Sequence, residues 1–495
     1  MYIPISGYAP DAEPSTPGVL LDTEMMIPTL NGVAALPADA DAGVAATPSA
    51  VASMVTLRDL AGNNLIFAGG AASLAKLATT TWTDVTRTSG GAYSSTAAAR
   101  WTFAQFDARS LAANRGDKLQ KFDTGDSVFS DVTDGPKAAF VSVSKNFVMV
   151  ANTKGGPGGS DTYGDSPNRW WCCAIGNSNS WTANVSTQAT SGLLQDTPGE
   201  IVGLHALGSG FVAYKENSMY LARYVGPPRV WEWSQVPGEG LGAPSHYSVV
   251  NIETAHLFIG RDNVYMFDPS GPRPLADNRV AESLLADINV KHQNRLVGFQ
   301  DRNTWRAYWF YPSVGSNDGT LDKYICFNYR SNRWTRGTKT VRFAFEYREP
   351  GVSYNDLGSY YSTYADLPTA PYDTAFASTS TYKPAIVDSN DKIQRLEGSP
   401  ANASSMTTWD IGQDGTPTLV TRIRPRFKRS PTTGTQTYMY KDNLGDTVTT
   451  SVQSTLFSGT FDHVESARWH RVKHNYTGDV EVTGVDIEIQ GDGLE

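Results

Sequence analysis

The chain has 495 residues, room for two or three ordinary domains or for one large repeat array with an appendage. Its 41 basic and 50 acidic residues leave a net charge of −9, which argues against a protein that wraps nucleic acid electrostatically but not against a surface that DNA slides past. Charged residues make up only 18%, below the usual quarter, so part of the outer surface is expected to be buried against partners.

Three cysteines, Cys172, Cys173 and Cys326, do not make a disulfide framework, because neighbours such as Cys172 and Cys173 point to opposite faces of a strand. A reducing folding compartment fits. No apolar run approaches 18 residues, and Met1-Tyr2-Ile3-Pro4 has neither a basic nor an apolar leader region. Neither a membrane span nor a signal peptide is expected.

Residues 1–51 read as an N-terminal arm, rich in Pro and Ala. Gly7-Tyr8-Ala9-Pro10-Asp11 and Thr16-Pro17-Gly18 are turn signals, and Val19 to Ile27 reads as one strand. From residue 52 the chain becomes a series of short apolar runs rich in Val, Phe, Tyr and Trp, separated by Gly, Asn, Ser and Pro. The clearest group lies between Glu200 and Val236: EIVGLHAL, GFVAYKE, SMYLARY and VWEWSQV. Asn217 and its neighbours make the hairpin between the second and third runs. The ending Trp233-Ser234-Gln235-Val236 recurs as Trp82-Thr83-Asp84-Val85 and Phe129-Ser130-Asp131-Val132. It recurs more loosely at Trp181-Thr182 and Trp334-Thr335.

The spacing of these endings defines the architecture. Steps of 47, 52 and 52 separate positions 82, 129, 181 and 233, and a double step of 101 reaches 334. A four-strand unit repeating at about 40–50 residues is one blade of a β-propeller. Six blades are predicted over 52–86, 100–132, 137–185, the 200–236 stretch, 245–276 and 295–338, with the five Trp or Phe endings on the outer strands. The third blade carries a flexible insertion from Gly155 to Asn168, and the fifth has a weak outer strand near Pro274. A short helix over about Asp277 to Val290 separates the fifth and sixth.

A ragged seventh blade follows. Its inner strand is Val341 to Tyr347, and its hairpin joins Ala385-Ile386-Val387-Asp388 to Lys392-Ile393-Gln394-Arg395-Leu396. It lacks an outer strand of its own, and the orphan strand at Val19 to Ile27 is predicted to supply it and close the ring. The alternative is six blades with 339–400 as a side insertion. The expected class is thus mainly β: a propeller of seven or six blades over 52–403, then a sandwich-like β-domain over 404–495 with strands Thr418 to Lys428, Gln436 to Lys441, Thr447 to Ser454, Ala467 to Tyr476 and Asp479 to Ile489.

No chemistry-bearing constellation emerges. Gly155-Gly156-Pro157-Gly158-Gly159-Ser160 lacks the Lys that ends a phosphate loop, and Pro157 removes an amide. Ser316-Asn317-Asp318-Gly319 and Asp388-Ser389-Asn390-Asp391 fall short of a calcium-loop pattern and read as hairpin turns. His470 and His474, four apart on a strand, are about 13 Å apart, too far to share a metal, and read as a solvated pair. Ser178-Asn179-Ser180-Trp181-Thr182 only approaches the Asp-box of propeller sialidases, and no carboxylate pair is singled out for glycosidase chemistry. No enzyme activity, cofactor or metal is expected. The one sharp charge feature is Arg422, Arg424, Arg426 and Lys428, which share a strand face. Pro425 suggests an edge strand. The stripe faces DNA or a neighbouring subunit, or is paired in part with Asp486 and Glu488.

The segments Gly7-Tyr8-Ala9-Pro10-Asp11, Thr16-Pro17-Gly18 and Ile27-Pro28-Thr29 resemble the start of the tail nozzle proteins of short-tailed bacteriophages. Tyr224-Val225-Gly226-Pro227-Pro228 with Pro237-Gly238-Glu239, Leu257-Phe258-Ile259-Gly260 with Met266-Phe267-Asp268, Ser466 to Arg471, and Thr477 to Glu481 extend the resemblance over most of the chain. It implies a structural virion protein made in the host cytoplasm: a homohexameric ring in the tail tube, below portal and adaptor proteins and beside tail fibres. Such a ring touches viral DNA transiently during ejection and carries no catalytic residues. A host-binding tail fibre that recognises glycan, or a propeller glycosidase, are the alternatives.

Overall fold

The computed structural model describes residues 2–492 except 61, 95–99, 350–362, 364–380 and 401–402. Seven four-stranded antiparallel sheets radiate from one axis, which makes a seven-bladed β-propeller. The inner strands are Ser53–Arg58, Thr102–Phe106, Lys137–Ser144, Ile201–Leu207, Val249–Asn251, Val297–Asp301 and Phe343–Tyr347; each packs beside the next and the seventh beside the first.

The second strand of each blade explains why the sequence runs are so continuously apolar. Phe147–Gly155, Gly210–Lys215, His256–Ile259 and Arg306–Tyr311 are buried along almost their whole length. A strand in the middle of a blade is covered on both faces by the neighbouring blades, so it has no solvent side on which to alternate. Tight two-residue turns join the strands: Leu207 pairs with Gly210 across Gly208, whose φ of 55° is left-handed.

The outer-strand reading holds for four of the five repeated endings. Trp82 begins Trp82–Asp84, Phe129 immediately precedes Ser130–Asp131, and Trp233 and Trp334 lie in Val230–Gln235 and Arg333–Val341. Trp181 does not conform. The third blade's outer strand is Thr190–Leu193, and Trp181 lies in the loop before it, fully buried against Leu111, Val132 and Trp171. The Asp134 carboxylate, which accepts from the Trp181 and Thr182 amides at 2.9 and 3.1 Å, holds it there. The insertion in the same blade is not loose either. It folds into two 3-10 turns, Pro157–Gly159 and Asp161–Tyr163, and Tyr163 packs edge-on against Trp171 with ring centroids 5.0 Å apart.

The ring is closed by a different segment from the one predicted. The outer strand of the seventh blade is Ala38–Asp41, antiparallel to Ile393–Gly398, with Arg395 opposite Ala40. Val19–Glu24 pairs instead with Ser404–Thr408, outside the propeller. The physical reason lies in burial. An outermost strand has one wet face, which suits the alternating Ala-Asp-Ala-Asp; Asp39 meets Lys339 at 2.7 Å and Asp41 meets Lys392 at 3.5 Å. The apolar 19–28 stretch needs cover on both sides.

It finds that cover in a two-sheet sandwich built from both ends of the chain. One sheet runs Phe461–Ala467, Thr418–Arg429, Glu481–Gly491, Val33–Ala35, Met26–Pro28, with Tyr2–Pro4 also on Glu481–Gly491. The other runs Gly7–Tyr8, Val19–Glu24, Ser404–Thr408, Trp469–Thr477, Thr433–Lys441, Thr449–Thr455. Leu20, Met26, Val33, Val420, Ile423, Tyr438, Phe461, Val472 and Val485 fill the space between them. The arm at 1–51 is therefore divided: its first 35 residues complete the sandwich, and Ala38–Asp41 completes the propeller. The five predicted C-terminal strands all form.

The arm also fastens the two units together. Thr335 Oγ1 and Tyr324 Oη, from the sixth blade, both donate to the Met26 carbonyl, at 2.8 and 2.9 Å. Arg336 pairs with Asp22 at 2.7 Å, and Asp11 accepts from the amides of Glu282 and Ser283 at the start of the helix Ala281–Asp287.

Candidate functional site

Two groups of cations compete for attention, one on the sandwich and one at the propeller axis. On the sandwich, Arg422, Arg424, Arg426 and Lys428 are all exposed, while Ile423 and Pro425 between them are buried, as alternation along a strand requires. The strand is not at the edge. Phe461–Ala467 flanks it on one side as far as Ile423, and Glu481–Gly491 flanks it on the other throughout. Pro425 lies past the end of the shorter partner, where a missing amide leaves no ladder bond unmade.

The stripe is largely neutralised in place. Arg422 meets Asp462 at 3.1 Å and Glu488 at 3.6 Å, Arg426 meets Asp486, and Lys428 meets Glu481 at 3.2 Å. Among the described residues, Arg424 is the one member of the four without a carboxylate at ion-pair distance.

The propeller axis is filled by side chains. Tyr247, just ahead of the fifth blade's inner strand, packs edge-on against Phe343 of the seventh blade with centroids 5.1 Å apart, and its hydroxyl donates to the Trp101 carbonyl of the second. Neither blade neighbours the fifth, so both contacts cross the axis. His246 stacks on Phe140 at 5.2 Å and on His205 at 4.1 Å. His246 Nδ1 accepts from the Leu204 amide, His256 Nδ1 from Tyr214 Oη at 2.8 Å, and His205 Nε2 donates to the His246 carbonyl at 3.0 Å. Burial holds all three imidazoles neutral: it depresses His205 well below the usual value, His246 to about 3 and His256 to about 4.

Tyr247 separates two axial cavities. The smaller, about 230 Å³, contains Phe299, Phe345, Gln300 and Glu346; burial pushes the Glu346 carboxyl up to about 7 despite Arg302 at 3.0 Å. The larger, about 460 Å³, opens on the opposite face and is lined by Arg100, Arg115, Glu200, Glu216, Lys291 and Gln293 among others. A third cavity of about 470 Å³ lies beside it on the far side of Arg100, with Arg295 and Arg342 in its wall. The Arg100 guanidinium between them donates to the carbonyls of Arg295 and Leu296 at 2.6 and 3.3 Å and lies over the rings of Tyr247 and Phe343. Burial lowers it to about 10.

None of this axial group stands out in the sequence. Arg100 and Trp101, Glu200, and Ser245 to Tyr247 each lie just ahead of an inner strand, at intervals set by loops of unequal length. The usable signal is the position relative to the blade, not the spacing. The two calcium-like stretches are turns, as expected. Asp388 accepts from the amides of Asn390 and Lys392 at 2.8 and 3.0 Å, and Asp318 from that of Thr320 at 3.0 Å. His470 and His474 are buried, not solvated: His470 lies between Tyr438 and Thr418 in the sandwich core.

No protein-family model and no curated protein matches the chain. Solved structures are similar to it at low identity. The extracellular domain of BT4673 from B. thetaiotaomicron aligns with a TM-score of 0.41 and 9% identity over 79% of this chain and 44% of that one, so the chain spans less than half of it. BamB from Moraxella catarrhalis aligns with a TM-score of 0.38 and 8% identity over 76% of this chain and 94% of that one. YCF48 bound to D1 peptide gives 0.36 and 10% over 73% and 98%. The seven-bladed arrangement rests on the strand pairing itself. Among the described residues, no helix is long and apolar enough to cross a membrane.

Proposed function

We propose that the chain is a non-catalytic structural subunit of a short phage tail, a nozzle ring through which the genome leaves the virion. The observation that carries the reading is where the resembling segments meet. Gly7–Tyr8 and Met26–Pro28 from the start of the chain, and Trp469–Thr477 and Glu481–Gly491 from its end, are strands of one sandwich. Segments far apart in sequence but joined in one unit are what a shared architecture, rather than chance similarity of turns, would produce.

Two further features constrain the reading. The propeller axis is crossed by Tyr247, Phe343 and Trp101, so DNA passes between subunits, not through a propeller. The stripe at Arg422 to Lys428 is mostly neutralised by acids, as suits a surface that DNA slides past, because strong phosphate pairing would stall transit. A homohexamer would carry 6 × −9 = −54. Head-to-tail contacts between unlike surfaces, such as a propeller flank and the sandwich, close a ring of this kind. The axial cavities favour a second reading, a receptor-recognising tail propeller.

The test is to add purified subunit to tail-less capsids and count the bound copies by mass or imaging. Six copies at one vertex is the expected result. Three copies, or copies spread over the capsid, would replace the nozzle with a fibre or a decoration protein.

A further inference from the structure

The guanidinium of Arg100 lies between two cavities with no counter-charge beside it. It is half-buried, it has no carboxylate at ion-pair distance among the described residues, and its partners are two backbone carbonyls and two ring faces. Carbonyl dipoles and ring quadrupoles offset part of the cost of burying a cation, but they do not supply a counter-charge. A second guanidinium, Arg295, shares the site. Its carbonyl accepts from Arg100, its own Nη1 donates to the Asp318 carbonyl at 2.9 Å, and it likewise has no carboxylate at ion-pair distance among the described residues. Two cavities of ligand size, about 460 and 470 Å³, meet at the Arg100 side chain. Arg100 and Arg295, neither with a carboxylate at ion-pair distance among the described residues, thus share the wall of one cavity, which suits an anion. The far wall sets the rest of the ligand: Glu200 and Glu216 line the cavity of about 460 Å³ opposite, beside Gln293 and Asn294, with Arg115 and Lys291 also in its wall. These two carboxylates repel a second negative charge and suit hydroxyl groups.

We propose that this axial mouth binds a small polar ligand through one anionic group, a carboxylate or a phosphate, seated on Arg100 and Arg295, with the hydroxyl-bearing body of the ligand in the cavity lined by Glu200 and Glu216. An acidic sugar and a phosphorylated sugar both have this chemistry. The site stands independently of any role in a tail, because it uses only residues within one propeller.

The test uses the full chain at constant ionic strength, set with chloride. Glucuronate, glucose 6-phosphate, glucose and inorganic phosphate are titrated by calorimetry, with the melting temperature of the propeller as a second readout. At least one of the two sugar anions is expected to bind and raise the melting temperature, and glucose is not. Glucuronate alone identifies a carboxylate ligand, and glucose 6-phosphate alone a phosphate ligand. Arg100→Gln and Arg295→Gln are each expected to weaken binding roughly tenfold or more, the loss of one charge-assisted hydrogen bond. If Arg100→Gln does not fold, Arg295→Gln decides. The proposal fails if neither sugar anion binds more tightly than chloride, if glucose binds as well as glucuronate, if inorganic phosphate binds as well as the sugar phosphate, or if the folded arginine variants bind like the parent.

Discussion

In the propeller, six of the seven blades are unbroken stretches of chain, each strand paired with the one before it; in the sandwich, both sheets need strands from both ends of the sequence. Local pairing makes each blade a nearly independent unit whose stability depends on its neighbours' faces. The sandwich has no such units, and its stability depends on residues 2–35 reaching partners beyond residue 403. The seventh blade belongs to both classes: three strands are local, and the fourth arrives from the far end of the chain.

The most severe way to break this contrast is to delete residues 2–35. The sandwich is expected to lose its cooperative melting transition altogether, on the order of 5–15 kcal/mol for a domain, while the propeller transition survives because Ala38–Asp41 remains. Calorimetry decides it; a sandwich transition that persists would mean that the arm is dispensable.

Within the propeller, the tryptophans of the repeat should not be equivalent. Trp181→Ala and Trp334→Ala each remove a fully buried indole and are expected to cost about 3–5 kcal/mol. Trp82 is only partly buried, so Trp82→Ala should cost well under half of that by chemical denaturation. Equal costs at all three would restore the sequence repeat as the guide to packing.

Acid sharpens the comparison further. The propeller buries His205, His246 and His256 neutral, and the sandwich buries His470, lowered to about 4 by its apolar surroundings. A depressed folded value means that the unfolded chain takes up more protons, so this stability is fully present above about pH 6.5 and is lost as pH falls toward 3–4. Glu346 works in the opposite direction. Its carboxyl is raised to about 7, so its contribution is present at low pH and lost as pH rises from about 4.5 through 7. Three imidazoles against one carboxyl should still make the propeller transition fall faster than that of the sandwich between pH 6 and 4. Parallel melting curves over that range would contradict this.

The smallest effect is expected at the ring closure. Lys339→Ala removes the contact with Asp39 at the closing strand, a partly exposed ion pair, and should cost about 1 kcal/mol or less of propeller stability by chemical denaturation. A larger loss would show that the ring is held mainly at this seam.

What could be read from the sequence follows the same division. The blades were legible because consecutive apolar runs and turn residues report on neighbours a few residues away. The closing strand was misassigned because Ala38–Asp41 has the composition of a surface loop: an outer strand needs little apolar surface, and nothing local marks its partner. Val19 to Ile27 reads as one strand but breaks at Met25, whose φ of 53° is left-handed, into Val19–Glu24, paired with Ser404–Thr408, and Met26–Pro28, paired with Val33–Ala35 in the other sheet. The basic stripe was obvious because alternation reveals it, and its acids Asp486 and Glu488 were equally visible. Arg100 was not, since an isolated arginine before an inner strand has no pattern; only the fold brings it beside Arg295 and the axial cavities.

The division of the sandwich between the two chain ends sets a timetable for synthesis. Residues 2–35 leave the ribosome well before their partners: Ser404–Thr408 and Glu481–Gly491, which complete their sheets, follow some 370 or more residues later. At roughly 5–20 residues per second, the apolar run Val19-Leu20-Leu21 with Met25-Met26-Ile27 waits about 20–70 s without its final partners. The sixth blade appears before then and offers the Met26 carbonyl two donors, Tyr324 and Thr335. If those two bonds form as soon as the sixth blade does, the Met26 segment is covered before the last strands emerge, which limits its exposure to aggregation.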